Sequence, residues 1–183
     1  MATWTHIAHD SLSLPASSVT WSSISGSYDH LLIKMSARGS DTTGGTSTIT
    51  DVEMRMGNGS VDSGTNYSDT YLGAYNTTPI SGRSTGQTDI QRIWIPSDST
   101  TADTFSVTNI WIPNYTSTVG GKAAIISSSV ENASTTIYLW GVIQVAGLWN
   151  PATPAAVDHL HLRTTAGNFM AHSVFDLYGI LGA

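Results

Sequence analysis

The stretch Phe105–Tyr115 constrains the fold of this chain more than any other. It reads Phe-Ser-Val-Thr-Asn-Ile-Trp-Ile-Pro-Asn-Tyr, which is typical of a strand that is apolar on both faces and ends at Pro113. A near copy, Arg92–Pro96, also ends at a proline. Because proline cannot donate a hydrogen bond to a sheet, it marks the end of each strand. We therefore predict that these two strands form the centre of an antiparallel β structure.

The composition extends this prediction to the whole chain. The 183 residues include 25 Ser, 25 Thr and 17 Gly, but only two Glu and two Lys. Strong helix formers are scarce, and the abundant residues favour strands and turns. We predict an all-β fold with about ten short strands and at most one short helix. The strands should form an antiparallel two-sheet sandwich, jelly-roll-like, as a single domain over residues 1–183.

Alternation of apolar and polar residues locates individual strands. His30–Arg38 and Thr48–Met56 both alternate with period two, which indicates strands with one buried face. Ile137–Ala146 is predicted to be the most buried strand. The aromatic residues of Tyr67–Tyr75 recur every four positions, so this segment is the candidate for the one helix. Pro79–Asp89 is polar and rich in glycine, and it is predicted to be a long loop.

Charge and hydropathy exclude several classes of partner. The chain has 7 Lys and Arg against 13 Asp and Glu, and the basic residues are scattered, so no nucleic-acid binding is expected. The longest apolar run, Ile137–Trp149, contains Gln144 and is too short to cross a bilayer, so no membrane association is expected. The N-terminus lacks the pattern of a signal peptide, which predicts synthesis and folding in a cytoplasm. Without cysteine there is neither a disulfide nor a thiolate metal site.

Asp158–His161 is the segment most suggestive of a metal site. On a strand, His159 and His161 would point to the same face, about 7 Å apart, and Asp158 could orient or bind. A third ligand would have to come from His6, His9, His30 or His172. The favoured alternative is that two histidines decorate the polar face of a strand whose other face carries Leu160 and Leu162. No metal site is therefore predicted, and His159 and His161 remain the only candidates.

The sequence gives little support for a calcium site or for a catalytic site. Asp62, Asn66 and Asp69 could bind calcium through oxygen, but their spacing favours hydrogen bonds within a turn. The chain has no nucleophile elbow, no dinucleotide-binding motif, no phosphate-binding loop and no local pair of catalytic carboxylates. We predict no catalytic residue, no enzymatic activity and no cofactor.

The aromatic residues provide candidates for recognition. Six tryptophans and seven tyrosines could stack on sugar rings, although such residues also anchor cores and interfaces. Trp94 and Trp140, inside apolar strands, are predicted to lie in the core, whereas Trp4 and Trp149 are predicted to be exposed. The candidate binding or interface residues are Trp149, Tyr67, Tyr71 and Tyr75.

Several segments, taken in order, resemble a family of small virion proteins of tailed bacteriophages. They are Tyr28–Leu32, Asp51–Gly59 with Gly64–Ser68, Ile112–Tyr115, Gly147–Trp149, Gly167–Phe169 and Ser173–Ile180. Together they are distributed over residues 28–180. The resemblance implies a β-sandwich that is part of the phage particle, made in the bacterial host, without settling whether it lies on the head or the tail.

Three functions follow as hypotheses. The first is a capsid decoration (cement) protein that binds the outer shell as a homotrimer, with the phage major capsid protein or other virion proteins as partners. The second is a receptor-binding module of a tail or head fibre, with Trp149, the tyrosine row and the loop 79–89 contacting a host surface glycan. The third is an enzyme, either a depolymerase or a metal-assisted hydrolase that uses His159 and His161.

Overall fold

The structure, a computed structural model, describes residues 2–40, 48–131 and 141–182. These residues form twelve β-strands and contain no helix, in agreement with the predicted all-β class. The strands are β1 Thr3–Ser11, β2 Ser18–Trp21, β3 His30–Ser36, β4 Ile49–Gly57, β5 Tyr67–Tyr75, β6 Thr78–Gln87, β7 Ile90–Pro96, β8 Val107–Pro113, β9 Lys122–Val130, β10 Gly141–Trp149, β11 His159–Thr164 and β12 Val174–Leu181.

The strands divide into two antiparallel sheets. The larger sheet has eight strands in the order β1-β12-β3-β8-β9-β10-β5-β6, and the smaller has four in the order β2-β11-β4-β7. The smaller sheet lies on the larger one, with β7 packed against β9 and β10. This arrangement confirms the predicted antiparallel two-sheet sandwich, with twelve strands where about ten were expected.

The core lies between the sheets and is built by alternation along each strand. In β10, the inward side chains of Ile143, Val145 and Trp149 are buried while their neighbours are exposed. The same alternation buries Leu31, Ile33 and Met35 of β3, as predicted. The buried apolar side chains of both sheets form one cluster. Burial of apolar area in this cluster is the main force that holds the sheets together.

The two proline-terminated strands do not lie side by side. β8 occupies an interior position of the eight-stranded sheet, whereas β7 is an edge strand of the four-stranded sheet. The two faces of β8 also differ, since Ile110 and Ile112 are buried while Val107 is exposed. The prediction that both strands form the centre of the structure holds for β8 and is wrong for β7, because similar local sequence does not determine which sheet a strand joins.

The predicted helix Tyr67–Tyr75 is strand β5, which pairs with β10 and β6. A spacing of four residues is also a multiple of two, so Tyr67, Tyr71 and Tyr75 share one face of a strand as well as of a helix. The predicted loop Pro79–Asp89 is largely the edge strand β6. An edge strand has one side without sheet hydrogen bonds, so it accommodates proline and glycine that a central strand would not.

Some predictions fall on residues outside the described ranges. These are the core position of Trp140 and the first part of the predicted strand Ile137–Ala146. From Gly141 onward the strand is present as β10, and it continues to Trp149.

Candidate functional site

Trp149 is buried, which corrects the prediction that it is exposed. Its side chain lies at the end of β10 on the inward face, and the residue is 3% exposed. Its indole Nε1 donates a hydrogen bond to Oδ2 of Asp62 at 2.7 Å. Alternation along β10 decides this orientation, because Trp149 is in phase with the buried Ile143 and Val145. The predictions for two further tryptophans are confirmed, since Trp94 is buried and Trp4 is 55% exposed.

The three tyrosines of β5 do not form an exposed aromatic row. Tyr67 is fully buried, and its hydroxyl accepts a hydrogen bond from the Met56 amide at 3.0 Å. Burial raises the pKa of Tyr67. Tyr71 and Tyr75 are partly buried against Arg92 and Trp94, respectively, with the Arg92 guanidinium 4.2 Å from the Tyr71 ring centroid. The four predicted contact residues thus offer little aromatic surface to a ligand in solution.

Asp62 organises the turn between β4 and β5. One of its carboxylate oxygens accepts a hydrogen bond from the Gly64 amide at 2.7 Å, and the other accepts from Asn66 at 2.8 Å and from Trp149. Burial alone would raise the pKa of Asp62, but these hydrogen bonds outweigh it and lower the pKa. Asp69 lies apart, buried on the inward face of β5. The geometry therefore matches the turn interpretation of these residues.

His159 and His161 lie on one face of β11, opposite the buried Leu160 and Leu162, as predicted. They engage different partners. His159 Nδ1 is 2.6 Å from Oδ1 of Asp158, and His161 Nδ1 is 2.7 Å from the Thr20 hydroxyl. Burial, together with the charges of Arg55 and Arg163, lowers the pKa of His161. These two cations also make the neighbourhood unfavourable for a metal ion.

A charged cluster covers the outer face of the four-stranded sheet around Asp89. Asp89 is 1% exposed and lies 3.3 Å from Arg55 and 3.1 Å from Arg163. Arg163 also forms an ion pair with Glu53. Burial alone would raise the pKa of Asp89, but hydrogen bonds from Thr88, Arg163, Gln91 and Arg55 outweigh it and lower the pKa. The polar face of β4, opposite the buried face that its alternation predicts, is therefore largely covered by ion pairs.

A second histidine cluster lies on β1 and β12, at one edge of the eight-stranded sheet. His6 and His9 of β1 both contact the carboxylate of Asp176 on β12. Within residues 2–40, 48–131 and 141–182, this is the one group of three whose possible ligand atoms all lie within 4.8 Å of one another. His6 and His9 were predicted only as additional ligands for the His159 pair. Asp176 was missed, since no local motif connects residues 170 positions apart in the chain.

The outward residues of β5, β8, β9 and β10 form a continuous surface that we call the uncharged face. Paired residues form rows across the four strands, for example Val107, Ser129, Val142 and Ala74. Five of its apolar side chains are among the large exposed ones, namely Leu72, Val107, Ile125, Val142 and Leu148. On these four described strands, no outward position carries Asp, Glu, Lys or Arg.

Such a surface is suited to contact with another protein, because the centres of interfaces are depleted in charged residues. Serine, threonine, asparagine and glutamine between the apolar residues can make hydrogen bonds with a partner. No helix that could span a membrane occurs in the part of the chain that the structure describes. The chain matches no protein-family model and no curated protein.

Proposed function

We propose that this chain is a non-enzymatic structural protein of a tailed-bacteriophage particle. In this proposal it is a capsid decoration protein that binds the outer shell as a homotrimer and stabilises the contacts between capsomers. The sequence resemblance supports the virion assignment, and the rigid two-sheet sandwich is compatible with it. The uncharged face is the observation that carries the proposed mechanism.

The uncharged face supplies the contact surface that a decoration protein needs. Exposed apolar side chains on a rigid sheet lose little conformational entropy on binding, so their burial favours association. Ile125 and Val142 lie on β9 and β10, the two inner strands of this face, and are 53% and 58% exposed. Packing this face against another copy or against the shell would remove them from water. Many such contacts on one particle add through avidity even where each is weak.

The test compares two variants of equal charge. Ile125→Lys/Val142→Lys places two ammonium groups on the uncharged face, whereas Leu14→Lys/Val119→Lys places them on loop residues that are 74% and 85% exposed. We expect both variants to fold, and only the first to lose self-association in sedimentation velocity. Added to purified particles that lack the protein, the wild type and the loop variant should raise the melting temperature of the shell.

If Ile125→Lys/Val142→Lys associates and stabilises particles as well as the wild type does, the proposed contact through the uncharged face is wrong. Copy number per particle, measured by quantitative mass spectrometry of virions, tests the location. Shell sites repeat on the order of hundreds of times and tail sites about a few dozen times or fewer. A low count would assign the chain to the tail and support the fibre hypothesis, and absence from virions would overturn both.

A further inference from the structure

A bulge in β1 brings His6 and His9 to the same side of the sheet as Asp176, which the local sequence does not indicate. His6 pairs with Tyr178 and Ala8 pairs with Leu177, so Ile7 is an extra residue on β1. In an unbroken strand, residues three positions apart point to opposite faces. The extra residue shifts the alternation by one position, so His6 and His9 point to the same outward face. Asp176, which is paired with His9, faces the same side.

The three side chains meet at one point. His6 Nε2 is 3.0 Å and His9 Nδ1 is 2.8 Å from the same oxygen, Oδ1 of Asp176. Two imidazole nitrogens and a carboxylate oxygen are a ligand set used for zinc, with metal–ligand distances of about 2.0–2.2 Å. Such distances correspond to ligand atoms about 3.3–3.6 Å apart in a tetrahedral site. Because all three side chains lie at the surface, small rotations about their torsions can bring the atoms to that separation.

The neighbours leave this point accessible to a cation. Lys34 is the residue paired with Asp176 on β3, but its ammonium lies over the rings of Trp4 and Tyr178, 5.7 and 5.8 Å from their centroids. The Tyr178 ring also packs against His6, at a centroid distance of 5.1 Å, which restricts the orientation of the imidazole. His6 and His9 side chains are 47% and 53% exposed, so the site is open to solvent.

We propose that His6, His9 and Asp176 bind a divalent transition-metal ion of the zinc class at the outer surface of the eight-stranded sheet. The protein supplies three ligands, and the remaining coordination position faces solvent, where water or a group from another molecule can occupy it. None of these ligands belongs to the uncharged face, although Asp176 lines a pocket with Val107 and Asn109 at its border, and His159 and His161 lie on the other sheet. It requires no enzymatic activity and does not depend on the proposed role in the virion.

The test is titration of the metal-free, untagged full chain with ZnCl2 by isothermal calorimetry, with stoichiometry confirmed by native mass spectrometry. We expect one Zn2+ per chain, at least tenfold weaker binding in His6→Ala and in Asp176→Asn, and loss of the site in His6→Ala/His9→Ala. The matched control is His159→Ala/His161→Ala, which removes the same two side chains elsewhere and should retain the stoichiometry and affinity of the wild type.

The proposal is overturned if the wild type binds no Zn2+, or if binding persists unchanged in His6→Ala/His9→Ala. It is equally overturned if the site disappears in the His159→Ala/His161→Ala control while that variant remains folded. Circular dichroism and thermal unfolding show whether each variant is folded. Because His6 and His9 are exposed, their variants are expected to fold, so the test does not depend on the stability of Asp176→Asn.

Discussion

The indole Nε1 of Trp149 donates a hydrogen bond to Oδ2 of Asp62 at 2.7 Å, and this contact joins the end of β10 to the turn between β4 and β5. The Asp62 carboxylate also accepts hydrogen bonds from the Gly64 amide and the Asn66 side chain. Trp149, which was expected to contact a ligand at the surface, is therefore a buried residue that stabilises this turn. Its removal should alter stability rather than recognition.

Replacement of Trp149 separates the effect of its hydrogen bond from that of its volume. Trp149→Phe removes the indole N–H and should lower the free energy of unfolding by about 1–3 kcal/mol, because Asp62 loses a buried donor. Trp149→Ala also leaves a cavity and should cost about 3–5 kcal/mol. Urea denaturation measures both. The control, Trp4→Phe at an exposed site, should stay within about 0.5 kcal/mol of the wild type. Equal effects of Trp149→Phe and Trp4→Phe would contradict the assigned contact.

Asp89 should be the most sensitive member of the charged cluster. Asp89→Asn removes the charge that faces Arg55 and Arg163 in a covered site. We expect the free energy of unfolding to fall by about 3 kcal/mol. This is the low end of the range for a broken buried ion pair, because Glu53 still pairs with Arg163. Asp103→Asn makes the same chemical change at an exposed residue, where the lost attraction to Arg38 should cost about 1 kcal/mol or less of unfolding free energy. Comparable values for the two variants in urea denaturation would show that the cluster contributes little.

The environment of His161 predicts one component of the pH dependence of stability. Burial, followed by the charges of Arg55 and Arg163, lowers the pKa of His161 in the folded chain. The unfolded chain therefore binds this proton at a higher pH, near the ordinary value of about 6.5. Stability contributed by neutral His161 is complete above that value and is lost as the pH falls from it toward the folded-state pKa.

His161→Gln should accordingly reduce the loss of unfolding free energy between about pH 7 and pH 5. Thr20→Val is the control, since it removes the hydrogen bond at 2.7 Å but leaves the titrating imidazole in place. We expect Thr20→Val to lower stability at all pH values and to keep the slope of the wild type. An unchanged slope in His161→Gln would refute the assignment.

Gly179 of β12 is required because the ring of Tyr28 lies against it. A Cβ at this position would be 2.4 Å from the Tyr28 ring, which is far inside van der Waals contact. Gly179→Ala should therefore destabilise the fold by about 1–3 kcal/mol, as overpacked substitutions do. At Gly26 the nearest atom would be 3.8 Å away, so Gly26→Ala should be near neutral. Thermal unfolding of the two variants compares them, and equal melting temperatures would contradict the packing of Tyr28.

The strand content and its alternation could be predicted from local sequence. In β3 and β4 the apolar residues that recur with period two are buried, although Leu32 and Glu53 on the opposite faces are covered as well. The Tyr67–Tyr75 segment could not be assigned in this way, because a four-residue repeat fits both a helix and a strand. Its pairing with β10 and β6 decides the outcome, and that pairing is a contact between distant segments.

The sequence by itself determined an all-β antiparallel chain, its main strands and the polar face of β11, because these depend on neighbours along the chain. Only the tertiary structure decided that Trp149 points inward, that β7 and β8 belong to different sheets and that Asp176 meets His6 and His9. Each of these depends on register between strands far apart in sequence, and a single bulge at Ile7 reverses which side chains share a face. Local propensity carries no information about such a register.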